Sequence, residues 1–155
     1  MLRKSNKDPF SRALGYAYRL LSVRGRSENE LKARMKEKGY GRERIDEIIL
    51  YLKDKGFIDD SKFARAWIED RSQFKPKGVM ALRDELFRKG LDRATIDGAI
   101  EDAGIDESKA ARALAEEKCA SFKGADAIKR KRSVYNHLAR RGFSFSVIND
   151  IINTL

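Results

Sequence analysis

Apolar residues recur along this chain with a period of about fifty positions. Three glycines, Gly39, Gly90 and Gly142, mark the period at intervals of 51 and 52 residues. The positions eight and four residues before each glycine are apolar, and so are those one, six and ten residues after it. Agreement at all five offsets in three copies predicts an internal repeat.

Within the first repeat, the spacing of apolar and capping residues predicts three helices. One apolar face runs through residues 11–22 at helical spacing. Ser27 and Glu30 form a capping box that begins a second helix. Gly39 ends that helix, because glycine accepts the left-handed conformation at a helix C-terminus. A third helix is predicted over 42–55, and the same scheme in the later copies predicts nine helices and no strands.

We therefore predict an all-α fold of three tandem three-helix repeats. The repeats are helix-turn-helix-like, and we expect them to form an elongated or curved array. The predicted divisions are an N-terminal tail at 1–10, repeat 1 at 11–58, repeat 2 at 59–104 and repeat 3 at 105–155. The linkers GFIDD and AGIDE are short, so neighbouring repeats should touch.

The composition fits this fold and limits the cellular setting. Two prolines in 155 residues, with 37% charged residues, favour helix over other structure. No run of 18 apolar residues is present, so no transmembrane helix is expected. The N-terminus lacks the apolar stretch of a signal peptide. A single cysteine, Cys119, excludes an internal disulfide, and we predict a cytoplasmic protein.

The charge of the chain indicates a polyanionic or acidic partner. The formal net charge is +10 and the pI is about 9.8, which favours nucleic acid, an acidic protein or an anionic membrane surface. Residues 1–58 carry +7, residues 59–105 carry −1 and residues 106–155 carry +4. The ends could grip a polyanion together, or the basic face could simply be solvated.

The candidate binding residues are basic side chains in three segments. They are Arg24, Arg26, Lys32, Arg34, Lys36 and Lys38 in the first, Lys75 and Lys77 in the second, and Lys129, Arg130, Lys131, Arg132, Arg140 and Arg141 in the third. The third segment is the densest, with six basic residues and one acidic residue over 126–141. Such clusters attract phosphate groups.

Two helices joined by a glycine turn also resemble a DNA-binding helix-turn-helix unit. The helices that follow the glycines are poor candidates for reading bases. Residues 92–102 hold one arginine and four carboxylates, and Asp150 is the only charged residue in 144–155. A sequence-specific repressor is therefore not favoured, although a general DNA-binding protein stays an alternative.

Catalytic chemistry is not indicated by the sequence. The chain has one histidine, His137, and one cysteine, Cys119, so no cluster shows metal-ligand spacing. No glycine-rich phosphate-binding motif is present. We therefore predict a protein that is not an enzyme and has neither a cofactor nor a metal.

Four stretches resemble the RecX family. They are RSENELKARMKEKGY at 26–40, GFIDDSKFARAWIEDR at 56–71, LRDELFRKGLDRATIDGAI at 82–100 and YNHLARRGFSFSVINDII at 135–152. The resemblance covers nearly the whole chain in order and spacing, and it implies tandem three-helix repeats. It also implies a regulator of the bacterial RecA recombinase, usually an inhibitor, that binds along the groove of the RecA filament on DNA.

The expected partners are RecA, in the filament groove, and single- or double-stranded DNA through the basic surface. We expect a monomer without membrane contact. The resemblance transfers no catalytic residue and no binding motif, so the candidate basic residues come from charge alone. Two other functions are kept open, a general DNA-binding protein and an adaptor that recognises an acidic protein without DNA.

Overall fold

The computed structural model describes residues 8–122, 124 and 126–155, and these residues form nine α-helices and no strand. The helices are α1 (Pro9–Val23), α2 (Glu28–Glu37), α3 (Arg42–Asp54), α4 (Asp60–Phe74), α5 (Val79–Arg88), α6 (Arg93–Ala103), α7 (Glu107–Ala120), α8 (Ala127–Arg140) and α9 (Phe145–Asn153). Each consecutive group of three makes one repeat. The predicted all-α fold of tandem three-helix repeats is therefore confirmed.

The helix ends follow the local signals in the sequence. The Ser27 hydroxyl accepts the Glu30 N–H at 3.1 Å, and the Glu30 carboxylate accepts the Ser27 N–H at 3.2 Å. This is the predicted capping box. Gly39, Gly90 and Gly142 have φ values of +100°, +84° and +76°. The left-handed turn predicted after the second helix of each repeat is present in all three.

The first helix begins slightly earlier than the predicted range of 11–22. Asp8 is its N-cap, and the Asp8 carboxylate accepts the Phe10 N–H at 3.0 Å. Pro9 occupies the first helical position, where its missing N–H costs nothing. The last residues of the predicted 1–10 tail thus belong to the start of α1, and residues 1–7 lie outside the described part of the chain.

Each repeat has its own hydrophobic core. The buried centres are Leu31, Met35, Ile48 and Leu52 in repeat 1, Ile68, Leu82, Leu86 and Ile96 in repeat 2, and Val134, Leu138, Ile148 and Ile151 in repeat 3. The repeating apolar positions supply most of these side chains. Because the three clusters are separate, the repeats are joined by other contacts.

Polar contacts join repeat 1 to repeat 2, and we call this region the first joint. The hydroxyl of Ser27 donates to the backbone carbonyl of Lys89. The Lys89 ammonium donates to the Glu30 carboxylate at 2.9 Å. The Glu28 N–H donates to the Asp60 carboxylate at 2.8 Å. The start of α2 therefore rests on the end of α5 and the start of α4.

The second joint, between repeats 2 and 3, uses the same arrangement. The Gly78 N–H donates to the carbonyl of Arg141 at 2.8 Å, and the Arg141 guanidinium donates to the carbonyl of Pro76 at 3.1 Å. The Val79 N–H donates to the Glu107 carboxylate at 2.8 Å. In both joints the second helix of one repeat begins on the glycine turn of the next.

Two of the repeat glycines are placed at these joints. A Cβ on Gly90 would overlap Asn29, and a Cβ on Gly142 would overlap Ala81. A Cβ on Gly39 would meet nothing within 4 Å. Glycine is therefore required at all three positions by its positive φ, and at two of them also by the close approach of the preceding repeat.

Candidate nucleic-acid and protein interfaces

Three of the six candidate cations in the first segment are held in ion pairs. The pairs are Arg24–Glu30 at 3.1 Å, Lys32–Glu28 at 2.8 Å and Arg34–Glu37 at 3.0 Å. A cation that already faces a carboxylate must exchange that partner to bind phosphate. These side chains remain candidate binding residues, but each has a local role in the fold.

The other three cations of this segment differ in their surroundings. The Arg26 guanidinium donates to the carbonyl of Leu20 at 3.3 Å, and burial lowers the pKa of Arg26. Lys36 is exposed and has no carboxylate within 4.0 Å in the described part of the chain. The Lys38 ammonium lies 5.7 Å from the centroid of the Tyr16 ring. Lys36 and Lys38 are therefore the most available cations near α2.

Lys75 and Lys77 lie in the connection between α4 and α5. Lys77 pairs with the carboxylate of Glu85, which also accepts from the Trp67 indole at 2.9 Å and from the Arg71 guanidinium at 3.0 Å. Lys75 is exposed and has no carboxylate partner among the residues described. Lys77 thus belongs to a polar cluster of repeat 2, while Lys75 faces solvent.

The start of α8 carries the largest group of unpaired positive charge. Lys129, Arg130, Lys131 and Arg132 follow one another, and across 8–122, 124 and 126–155 none has a carboxylate within 4.0 Å. Lys129 and Arg132 are exposed, whereas Arg130 and Lys131 are half-buried. This group is available to phosphates from the solvent side.

The last two candidates lie at the other end of α8. Arg140 is exposed and has no carboxylate partner in the described ranges. Arg141 belongs to the second joint through its bond to Pro76. Loss of the Arg141 side chain would therefore disturb the placement of repeat 3 as well as any ligand contact.

Equivalent surface grooves lie between the second and third helices of repeats 1 and 2. Groove 1 is lined by Lys32, Ala33, Lys36, Tyr40, Arg42, Ile45 and Asp46. Groove 2 is lined by Met80, Arg83, Asp84, Phe87, Arg93 and Ile96. A shift of 51 residues, the spacing of the first two glycines, aligns most of the two linings. The fold therefore repeats one groove with different side chains.

The two grooves differ in chemistry. Groove 1 presents Lys36 where groove 2 presents Phe87, and the position equivalent to Met80 is Asn29 in repeat 1. Met80 is 63% exposed and Phe87 is 69% exposed. Neither residue is among the candidates predicted from the sequence. A comparison of the repeats ten and three residues before each glycine would have found them, because only repeat 2 has large apolar side chains at both positions.

Repeat 3 carries aromatic and basic side chains at the equivalent positions, which we call groove 3. A shift of 52 residues from groove 2 leads to Arg132, Tyr135, Asn136, Ala139, Phe145 and Ile148. Tyr135 is 40% exposed and Phe145 is 69% exposed. Aromatic rings beside cations are typical of surfaces that bind single-stranded nucleic acid, where bases stack on the rings.

The groups considered for catalysis have structural surroundings. Cys119 is half-buried against the core of repeat 3. Burial lowers the pKa of His137, and the neighbouring cation Arg141 lowers it further. Among the described residues, no group of three or more His, Cys, Asp or Glu side chains is placed to hold a metal ion. That the protein is not an enzyme and has no cofactor remains a prediction.

No helix in the part of the chain that the structure describes is long and apolar enough to cross a membrane.

Comparison with known families gives three matches. The profile of the RecX first three-helix domain matches residues 13–52, that of the second domain matches residues 59–100, and that of the third matches residues 106–152. Each match covers the helices of one repeat.

Individual proteins give the same assignment. The chain is 36% identical to the Regulatory protein RecX of Chlorobium limicola over 92% of this chain and 89% of that protein. It is 35% identical to the Regulatory protein RecX of Mycobacterium sp. (strain KMS), over 96% of this chain and 87% of that protein. A crystal structure of RecX from Lactobacillus salivarius shares the fold, with a TM-score of 0.84, 23% identity and coverage of 94% and 96%. The chain therefore belongs to the RecX family of regulatory proteins.

Proposed function

We propose that this protein regulates RecA by binding the RecA–DNA filament, and that it lowers the recombinase, ATPase and SOS coprotease activities of RecA. The observation that carries the proposal is the run of cations at 129–132, which have no carboxylate partner among the described residues, in a chain of the RecX family. We further propose that the protein acts as a monomer in the cytoplasm.

The repeat architecture suits a long, charged target. Phosphates attract the cations of α8 and groove 1. This electrostatic attraction weakens as the salt concentration rises. Each repeat alone offers few contacts. Because the repeats are covalently linked, binding of one raises the effective concentration of the others at neighbouring sites on the filament. Modest contacts can therefore add to a stable complex.

Inhibition follows if the bound chain occupies the filament groove. A protein that contacts several RecA subunits and the enclosed DNA would oppose the rearrangements that addition and release of subunits require. It would also cover surface that a second DNA strand or a cleaved substrate needs. One mode of binding would therefore lower strand exchange, ATP turnover and coprotease activity together.

Co-sedimentation with RecA filaments assembled on single-stranded DNA tests the proposed binding. We expect the chain to pellet with the filaments at 150 mM salt and to stay largely in the supernatant with the same DNA alone. The control is bovine albumin, which should not pellet. A chain that ignores the filament while circular dichroism shows it to be helical would contradict the proposal.

The alternative is a general DNA-binding protein with helix-turn-helix units. The exposed ring of Tyr135, three residues after Arg132 on α8, and the exposed ring of Phe145 favour it. It predicts tight binding to naked DNA, with a steep dependence on salt. Equal retention on DNA with and without RecA in the sedimentation experiment would favour this alternative.

A further inference from the structure

Groove 2 is the surface of this chain least suited to DNA. The cations near it are already paired with aspartates of the same repeat, Arg83 and Arg93 with Asp97, and Arg88 with Asp84. A phosphate would have to displace these carboxylates. The middle of the chain is also close to neutral, with a formal charge of −1 over residues 59–105. Groove 2 thus offers little net attraction to a polyanion.

The apolar side chains of groove 2 are not needed by the fold. Met80 and Phe87 are more than 60% exposed, and they do not belong to the core of repeat 2. Repeat 1 builds the same helix pair with Asn29 and Lys36 at these positions, and repeat 3 does so with Arg132 and Ala139. An exposed apolar pair that the repeat does not require is available for contact with another protein.

The spacing of the pair defines the shape of this surface. Met80 and Phe87 lie seven residues apart on α5, so both project from the same side of the helix. At 1.5 Å per residue they stand about 10 Å apart along its axis. Ile96 of α6 lies at the base of the groove. The result is an apolar strip with neutralised charges at its sides.

We propose that groove 2 is the protein-contact site of this chain and that it packs on an apolar, weakly charged surface of the RecA subunits. This inference rests on the proposed function. Different repeats then contact different partners. Groove 2 contacts RecA, while α8 and groove 1 contact DNA phosphates. The burial of Met80 and Phe87 provides attraction that salt does not screen.

The test uses the double variant Met80→Gln, Phe87→Gln in the full chain. Its matched control is Leu50→Gln, Phe74→Gln, which removes two side chains of similar exposure, 71% and 74%, away from the grooves. Binding of each chain to RecA filaments on single-stranded DNA is measured by fluorescence anisotropy at 50 and 300 mM salt. Circular dichroism shows that every chain retains its helix content.

We expect the Met80, Phe87 variant to bind the filament about tenfold more weakly than wild type at both salt concentrations, as for the loss of a binding hot spot. The control should bind within twofold of wild type. A Met80, Phe87 variant that binds like the control, while wild type binds the filament, would overturn the inference and leave the proposed function standing. Failure of wild type to bind the filament would overturn both.

A second copy of the chain is the remaining occupant to test. Sedimentation equilibrium of wild type and of the Met80, Phe87 variant measures self-association without RecA. We expect both to be monomers. A wild-type dimer that the variant dissolves would assign groove 2 to self-association and overturn the assignment to RecA.

Discussion

Gly39, Gly90 and Gly142 occupy the same place in the repeat but differ in their structural roles. All three end a helix with a positive φ, which disfavours any other residue. Gly90 and Gly142 also receive the preceding repeat, at Asn29 and Ala81. The shared sequence pattern therefore reports a helix end in every copy and a joint in two of them.

This difference predicts the effects of alanine at the first and last glycine. Gly39→Ala should cost about 1–2 kcal/mol of stability, the cost of a left-handed alanine. Gly142→Ala should cost more, because the new methyl group overlaps Ala81. It should also raise hydrogen exchange at the Gly78 amide, which bonds to Arg141. Urea unfolding measures the loss of stability, and NMR measures the rate of amide exchange. Equal effects of the two substitutions would contradict the account.

Glu30 connects the capping box to the first joint. Burial raises its pKa, but hydrogen bonds from Arg24, from Lys89 and from the Ser27 N–H outweigh burial and bring the pKa of Glu30 to about 2. Because the folded pKa lies below the usual value of 4.5, the ionised carboxylate stabilises the fold above pH 4.5. That contribution is lost as the pH falls toward 2.

Replacement of Glu30 should therefore change the acid sensitivity of the protein. We expect Glu30→Gln to lower the melting temperature at pH 7, and the gap from wild type to narrow between pH 4.5 and pH 2.5. Glu37→Gln is the control, since Glu37 is exposed and, among the residues described, its ion pair is with Arg34 of the same helix. Thermal unfolding by circular dichroism measures the gap, and a gap that stays constant with pH would disprove this role for Glu30.

Among the helices, α8 combines a fold function with available charge. Its apolar residues Val134 and Leu138 are fully buried in the core of repeat 3. Its first two turns carry Lys129–Arg132 without carboxylate partners in the described part of the chain. In α2, by contrast, Lys32 pairs with Glu28 and Arg34 pairs with Glu37. We expect α8 to contribute most of the attraction to DNA.

Substitution of all four residues of 129–132 by alanine should weaken binding to RecA filaments at least tenfold and leave helix content unchanged. The slope of log affinity against log salt should fall by about 3, if each cation neutralises one phosphate of single-stranded DNA. The control replaces four exposed cations outside the candidates with alanine, Lys62, Arg65, Lys109 and Arg112. The affinities of the two variants are measured by fluorescence anisotropy across a salt series. Equal losses of affinity would show that α8 contributes only through the net charge of the chain.

The sequence alone predicted the helices well, because their signals are local. The capping box of Ser27 and Glu30 lies within four residues, and each glycine turn is marked by its own apolar neighbours. The joints could not be predicted in this way, since Ser27 and Lys89 are 62 residues apart. The same limit applies to the candidate site. Charge located Lys129–Arg132, but only tertiary contacts show that Lys77 and Arg141 serve the fold.

At the scale of the whole molecule, the described residues form three small cores, and hydrogen bonds join neighbouring repeats. No core cluster among the described residues draws buried side chains from two repeats. Each joint includes a few hydrogen bonds and a close approach at a glycine, and Ile105 also packs against the core of repeat 2. Such joints connect neighbouring repeats, while each repeat keeps its own hydrophobic core. The elongated or curved outline stays a prediction, and small-angle scattering would measure it.

ATP hydrolysis by RecA on single-stranded DNA tests the central claim most directly. The chain is titrated from zero to well below one molecule per RecA, with the DNA saturated by RecA before addition. We expect the rate to fall at these substoichiometric ratios, because a regulator that acts on filament growth or stability affects many subunits. An unchanged rate over this whole range of ratios, with the chain shown to be folded, would contradict the assignment as a regulator of the RecA filament.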